Sequence, residues 1–487
     1  MVLGATDAQF EGSLKIALMA DIKQLYPWDN RRQESAYVLD NVYEPLIRFK
    51  EGSSDIGYWL ATAVTPAPDF RVWTVQIRKN VYFHDGSMLN ADAVVASLSM
   101  VPALRNKVKR INEYTVAITL DKPSVLFPDR LTLMEYSIVS LATVKCYHEK
   151  CKPLVLYGTG PFTFSHWTPG KEVVLKANLK YWGKKPFLKE AIFLPFKSDA
   201  DLIKAIKEKQ INIALAVSPN SITAIREIPH VTFRTVPTLG IGILALNTEK
   251  KSLNDARVRK AIAYAINKKE LVKKYYFGGH TGAVAQTFVP PQIMKLYEPS
   301  ADFEYNPEKA KALLKEAGYP DGFKVTLVPI YIHRPYMPDP PGIAEDIAVY
   351  LSAIGIKAKV ILVGNEEEFK KMVLSNTYDM MLFGWHADVP DPDDLLTALL
   401  STESINDANL SRWSNKQFDG LLEEARKKKT PVERLEYYQK AQTLFHQELP
   451  FIPLFTPLQT IAWSENVNGF VPHPVNRFYL QEISLRK

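Results

Sequence analysis

Residues 324–364 read KVTLVPIYIHRPYMPDPPGIAEDIAVYLSAIGIKAKVILVG. Two apolar runs, KVTLVPIYI at 324–332 and KAKVILVG at 357–364, flank the helical pattern GIAEDIAVYLSAIGI at 342–356. Parallel strands need a connection of a dozen or more residues, usually a helix, so strand–helix–strand in this order predicts a crossover unit. Read outward from it, strands and helices keep alternating, which predicts an α/β protein with largely parallel sheets.

Towards the N-terminus, SLKIALMA at 13–20 predicts an opening strand, and DIKQLYPWDNRRQES at 21–35, polar and interrupted by Pro27, predicts a loop. AYVLDNVYEPLIRF at 36–49 reads as a helix leading into a strand. In RVWTVQIRKNVYF at 71–83, Trp73, Val75 and Ile77 alternate with Val72, Thr74 and Gln76, the pattern of a half-buried strand. HDGSMLNADAVVASL then predicts a turn and a helix entered through Asn90, with Asp92 in its first turn. Further on, Val258, Ile262, Ala265, Ile266 and Val272 in SLNDARVRKAIAYAINKKELVKKYYF make one apolar stripe, with Ser252 or Asn254 as the cap. NPEKAKALLKEAGYP predicts a helix capped by Asn306, with Pro307 at its first position and Gly318 at its stop.

The chain has 487 residues, more than one hydrophobic core of ~250–300 residues accommodates, so two or three lobes are expected. Its composition, 46% hydrophobic and 23% charged, is that of an ordinary globular protein. The net charge of +7 does not point to nucleic acid, because the cations are dispersed and the longest run, Lys427–Lys429, falls on an apparent helix face. No run approaches the ~18 apolar residues of a membrane span. The start, MVLGATDAQFEG, has no basic and apolar leader, which predicts a mature or truncated form of an exported protein, or one that stays inside. The only cysteines, Cys146 and Cys151 in CYHEKC, are spaced for a small disulfide loop in an oxidising compartment. Two independent thiols and a Cys–His–Cys zinc site are the other readings, the zinc site lacking an evident fourth ligand.

Catalytic and cofactor signatures are mostly missing. There is no phosphate-binding G-x-x-x-x-G-K-[ST], no G-x-S-x-G and no H-E-x-x-H. GIGILA at 240–245 formally fits a dinucleotide turn, but it runs on into ILALNT as strand, with no helix before about Asn254. The nine histidines are scattered, and His148 and His333 read as surface or packing residues. GWHADVPDPDDLL at 384–396 gathers Asp388, Asp391, Asp393 and Asp394. Of these, Asp393 and Asp394 read as the acidic first turn of a helix, worth at most ~1 kcal/mol each. No cofactor and no metal are expected.

Several segments together resemble the solute-binding proteins of ABC importers of the dipeptide, oligopeptide and nickel class. They are VWTVQIRKNVYFHDGSMLNADAVVASL, YGTGPFTFSHWTPGKEVVLKANLKYWG, LALNTEKKSLNDARVRKAIAYAINKKELV and LSRWSNKQFDGLL, in family order along nearly the whole chain. The resemblance implies a type II two-lobed binding-protein fold with an extra inserted domain. Ligand lobe I would comprise 1–43, 190–240 and 456–487, the inserted domain 44–189, and ligand lobe II 241–455. It further implies a monomer, exported to the periplasm or cell surface, that closes by hinge bending on a peptide or peptide-like solute and delivers it to a membrane permease, without catalysis.

By the same resemblance GWHADVPDPDDLL runs along the ligand cleft, and Asp388 pairs with the ligand's α-ammonium. A charge-assisted hydrogen bond of that kind is roughly twice as strong as a neutral one. Gly384, Trp385, His386 and Ala387 would share the site, with Gly384 admitting a close backbone approach, Trp385 forming a flat wall and His386 a donor. Dipeptide binders carry an arginine for the ligand carboxylate shortly after a segment like RPYMPDPPGIAE, where this chain has Pro341 and Gly342. Arg31, Arg32 and Gln33, in the loop WDNRRQES, are the alternative partners. A metal chelate of nickel or opine type, or an oligosaccharide, is a second ligand reading. A hydrolase using the Asp388–Asp394 cluster is a reading from another class.

Overall fold

The computed structural model describes residues 12–29, 32–291, 293, 303–334 and 336–486. The chain divides into two compact units, Met1–Val236 with Thr460–Lys487, and Pro237–Gln459.

In the first unit the opening strand, Ser13–Leu18, lies parallel to Glu190–Pro195 on one side and to Ile213–Ala214 on the other. Leu14, Ile16, Ala17 and Leu18 are all buried, so the strand is covered on both faces, which explains why it reads as a near-continuous apolar run. Glu172–Ala177 and Phe162–Thr168 extend this sheet by antiparallel pairing. A separate antiparallel sheet has the order Ala61–Pro66, Val72–Ile77, Thr115–Thr119, Val108–Asn112. Its second strand buries Trp73, Val75 and Ile77 and turns Gln76 to solvent, the predicted alternation. Asn90 accepts a hydrogen bond from the Ala93 amide and starts the helix Ala91–Ser99, as predicted. The predicted loop at 21–35 is partly helical: a short turn spans Pro27–Asp29, and a helix begins at Gln33.

The second unit holds the crossover on which the fold reading turned. Lys324–Pro329 and Lys357–Val360 pair in parallel, and the helix Pro340–Ser352 connects them. Met380–His386 is also parallel to Lys324–Pro329. The sheets are nevertheless mixed rather than largely parallel. Gly240–Leu246 runs antiparallel both to Met380–His386 and to the start of Phe451–Ser464. Its position explains this: Gly240–Leu246 is where the chain enters the unit and Phe451–Ser464 is where it leaves, so the two lie side by side in opposite directions. Every residue of Gly240–Leu246 is buried, and the next helix starts at Ala256, so no dinucleotide turn is present there.

The stripe from Val258 to Val272 is buried as predicted, but it lies on two helices. Ile266 is extended, Ala256–Ala265 ends there, and Asn267 caps Lys268–Tyr275 by accepting from the Glu270 amide. The first cap is Asp255, one residue beyond the expected Asn254. Lys427–Lys429 lies past the helix Lys416–Arg426, with Lys427 as its C-cap, rather than on a helix face.

Candidate functional site

The segment 384–396 begins inside a sheet. Met380–Gly384 is buried strand, and Gly384 faces Gly242 across the ladder. A Cβ on Gly384 would come within 2.3 Å of the Ile241 carbonyl and 2.4 Å of the Tyr336 ring, and a Cβ on Gly242 within 2.5 Å of the Tyr336 carbonyl. The paired glycines therefore let the Tyr336 backbone and ring lie flat on the sheet, and Tyr276 secures it by donating to the Tyr336 carbonyl at 2.9 Å. The close approach expected at Gly384 is made by the protein's own tyrosine.

Beyond Gly384, Trp385 and His386 are partly buried and Ala387 is fully buried, its amide donating to the Leu239 carbonyl at 3.0 Å. Burial pushes the His386 imidazole down to about 4, so at neutral pH it offers a neutral ring rather than a charge. The four carboxylates then separate by environment. Asp391 is buried, caps the helix Pro392–Leu400, and meets Arg434 at 2.7 Å and the Tyr438 hydroxyl at 3.2 Å. Asp393 is buried against the Arg426 Nε, at 2.9 and 3.1 Å from its two oxygens. It is half of a buried ion pair, not the surface first-turn charge expected, because the helices that carry Arg426 and Arg434 pack over this turn. Asp394 accepts the Asp388 amide at 2.8 Å and so fixes the backbone that presents Asp388. Asp388 itself is exposed.

Position 342, a glycine where the resemblance expects an arginine, lies in the first turn of the helix Pro340–Ser352 against the Asp339 and Tyr275 side chains. Asp339 caps the helix through the Gly342 amide at 3.2 Å, and a Cβ on Gly342 would lie 2.4 Å from the Asp339 carboxylate and 2.9 Å from the Tyr275 hydroxyl. An exposed cation stands earlier in the same segment. Arg334 lies near the Tyr336 side chain, and burial raises the Tyr336 phenol while the Arg334 charge pulls it back down. Sequence reasoning passed over Arg334 although it begins RPYMPDPPGIAE; the signal available was a cation two residues before the aromatic ring.

In the first unit, Arg32 is exposed and precedes the helix Gln33–Leu39, while Gln33 donates to the Asn476 carbonyl at 2.6 Å. Arg31 lies outside the described residues. The sulfurs of Cys146 and Cys151 are bonded to each other. Among the described residues, no group of three or more His, Cys, Asp or Glu is placed to hold a metal ion. No helix among them is long and apolar enough to cross a membrane.

Two of the motifs behind the family resemblance, those at 72–98 and 157–183, meet near one point in this unit. Glu44 is buried and accepts four hydrogen bonds: from Trp59 Nε1 at 2.7 Å, Tyr181 Oη at 2.5 Å, Thr159 Oγ1 at 2.7 Å and Trp182 Nε1 at 2.8 Å. Burial pushes its carboxyl up, and the four donors pull against that rise. Thr159 belongs to the segment YGTGPF, and Tyr181 and Trp182 to KYWG. His84 of FHDG joins them, with Nε2 3.0 Å from the Gly160 carbonyl and Nδ1 accepting the Gly158 amide at 3.3 Å. Gly158 and Gly160 are required there, since a Cβ on Gly158 would lie 1.9 Å from the Val42 carbonyl and one on Gly160 2.5 Å from that of Asn41. These motif residues tie distant segments of the unit together.

Two α/β units built on mixed sheets are the architecture of a solute-binding protein, and the comparisons agree. The model of the bacterial extracellular solute-binding proteins, family 5, matches residues 55–407. The dipeptide-binding protein of Escherichia coli is 28% identical over 91% of this chain and 89% of its own. Heme-binding protein A of Haemophilus influenzae is 30% identical over 89% of this chain and 85% of its own. Among solved structures, the ABC transporter-associated periplasmic binding protein DppA from Helicobacter pylori, in complex with the peptide STSA, superposes with a TM-score of 0.82 at 28% identity, covering 99% of each chain. The chain belongs to the bacterial extracellular solute-binding proteins, family 5, a family defined by binding rather than catalysis.

Proposed function

We propose that this protein captures a short peptide or peptide-like solute for an ABC importer, with Asp388 pairing with the ligand ammonium. The observation that carries this is the sorting of the acids in 384–396. Asp391 and Asp393 are buried against arginines and Asp394 is half-buried and accepts a backbone amide, and Asp388, two residues past the strand, is the exposed one of the four. The dipeptide name of one relative and the bound peptide of one structural neighbour support the same ligand class.

Arg334 is the proposed partner for the ligand carboxylate. It stands in the same segment as Gly342, beside a tyrosine that packs on the strand leading to Asp388. Trp385, His386 and Ala387 contribute a wall and a neutral ring, and Arg31, Arg32 and Gln33 are assigned to the ligand from the first unit. The protein acts as an exported monomer that hands its ligand to permease subunits and carries out no reaction. The separate sheet over Ala61–Thr119 supports an inserted domain within 44–189, with lobe I in 1–43, 190–240 and 456–487 and lobe II in 241–455.

Calorimetry with STSA, its N-acetyl form and its C-terminal amide tests the assignment. Asp388→Asn should weaken STSA binding by ~2–5 kcal/mol, the range for truncating one partner of a desolvated charge pair, and Arg334→Gln by a similar amount. Acetylation should penalise wild type strongly and the Asp388 variant little, and amidation should do the same for Arg334. Penalties that simply add would remove that residue from the site. Binding of heme or a metal chelate, and of no peptide, would replace the ligand class.

A further inference from the structure

The helix Leu141–Glu149 begins at Ser140, whose hydroxyl accepts the Thr143 amide, and ends at Lys150 in the left-handed conformation, φ 53°. At nine residues, with Leu141, Ala142, Lys145 and Glu149 exposed, it has little stability of its own. The disulfide closes across this C-terminus: Cys146 in the last turn is bonded to Cys151 just past the cap, whose amide also donates to the Cys146 carbonyl at 3.1 Å.

Tyr147, inside that ring, is turned towards a different segment. Its hydroxyl donates to Asp29 Oδ1 at 2.8 Å. Its ring meets Tyr26 edge-on with centroids 5.1 Å apart and Trp28 at 5.3 Å. One side chain thus makes three contacts to the turn that leads directly into Arg31, Arg32 and Gln33. Burial, reinforced by the bond to Asp29, raises the Tyr147 phenol to about 12, so it remains a donor across the physiological range. The turn Pro27–Asp29 also packs on Met134–Tyr136, so losing Tyr147 would loosen the turn without unfolding the unit.

We propose that Tyr147, held in place by the Cys146–Cys151 disulfide, is a positioning residue for the turn 26–29, so that opening the disulfide weakens ligand binding while the fold persists. The effect on binding rests on the assignment of Arg31, Arg32 and Gln33 to the ligand; the positioning of the turn does not. Both cysteines are only partly buried, within reach of a small dithiol. Reduction proceeds by two thiol–disulfide exchanges. The S–S bond breaks, the dithiol supplies two electrons and two protons and leaves as its own cyclic disulfide, and Cys146 and Cys151 become thiols.

The test uses the full chain, oxidised and after dithiothreitol, with the double variant Cys146→Ser/Cys151→Ser and the single variants Tyr147→Leu and Tyr147→Phe. Amide hydrogen exchange over 22–36 is the ligand-free readout. Reduction should raise it about tenfold while exchange in Val72–Ile77 stays unchanged, the signature of local rather than global opening. Tyr147→Leu should raise it equally in the oxidised protein and abolish the effect of reduction, with Tyr147→Phe, which loses only the bond to Asp29, in between. Affinity for STSA should fall about tenfold in parallel with the exchange. Unchanged exchange on reduction, or a Tyr147→Leu variant that still responds to it, overturns the proposal. Faster exchange with unchanged STSA affinity overturns the coupling to ligand. If the oxidised wild type fails to bind STSA, the peptide assignment fails, and the exchange data still decide whether Tyr147 holds the turn.

Discussion

Glu44 in the first unit and the pair Asp391 and Asp393 in the second are buried acids held in different ways. Among the described residues, Glu44 forms no ion pair. Two indoles, a phenol and a hydroxyl donate to it, and cations lie over the two indoles, with Arg48 3.5 Å from the Trp59 centroid and Arg78 5.0 Å from that of Trp182. Asp391 and Asp393 are met directly by Arg434 and Arg426. The donors to Glu44 come from 15 to 138 residues away and draw several segments to one point. The arginines sit on consecutive helices, Lys416–Arg426 and Pro431–Glu448, and clamp these to a third. The difference separates an organiser of the whole unit from a local fastening.

The largest effect should come from breaking the fastening on one side only. Arg426→Met leaves Asp393 buried without its cation and should cost ~3–5 kcal/mol in denaturant unfolding. Combining it with Asp393→Leu should recover most of the loss, because a buried pair is often replaceable by apolar groups. Acid pH loads both units in turn. His386 and His473 are each pushed down to about 4 by burial, and His473 is also fixed as a neutral ring, accepting the Val475 amide at 3.3 Å with its other nitrogen 3.0 Å from the Lys50 carbonyl. The unfolded chain takes up these protons from 6.5 downward and the folded one does not, so their contribution is complete above pH 6.5 and is lost as pH falls towards 4. The loss amounts to about 3 kcal/mol per histidine at 1.36 kcal/mol per unit. Urea melts of wild type and His473→Gln across that window measure it, and parallel pH profiles would refute it.

Glu44→Gln should cost ~1–3 kcal/mol, the penalty for an unsatisfied buried group. Each carboxylate oxygen accepts from one indole, Trp59 on one side and Trp182 on the other. Either orientation of the amide therefore sets its NH2 against a donor that cannot reverse. Asp394→Asn should have the smallest effect, ~0.3–1 kcal/mol, since it removes a first-turn charge while its remaining oxygen can still accept the Asp388 amide.

What could be read from the sequence follows from how far each interaction reaches. Asn90 and Asn306 cap amides three residues ahead, and both were legible. The crossover from 324 to 364 was legible for the same local reason. The break at Asn267 was not, because the apolar stripe continues across it and only the extended Ile266 backbone ends the helix. The burial of Asp393 depends on Arg426, 33 residues on, and its neighbours gave no hint of it. The role of Glu44 was invisible in NVYEPLIRF, since its four partners lie in other segments. For the candidate site, the acidic segment stood out by composition, whereas the environments that sort Asp388 from its neighbours, and Tyr336 that occupies the space above Gly384, are products of tertiary packing.

The crossing at Gly158 and Gly160 has a topological consequence. The chain departs through Val42 and Glu44 and, 115 residues later at Thr159, returns to the place it left, with no atom to spare between the two passes. The excursion is a circuit closed at this crossing and stitched to the rest of the unit at further points: Lys50 faces His473 at 3.0 Å, Thr132 accepts from Arg477 at 2.9 Å and Tyr147 donates to Asp29 at 2.8 Å. Segments between those stitches are where length can change at least cost to the host.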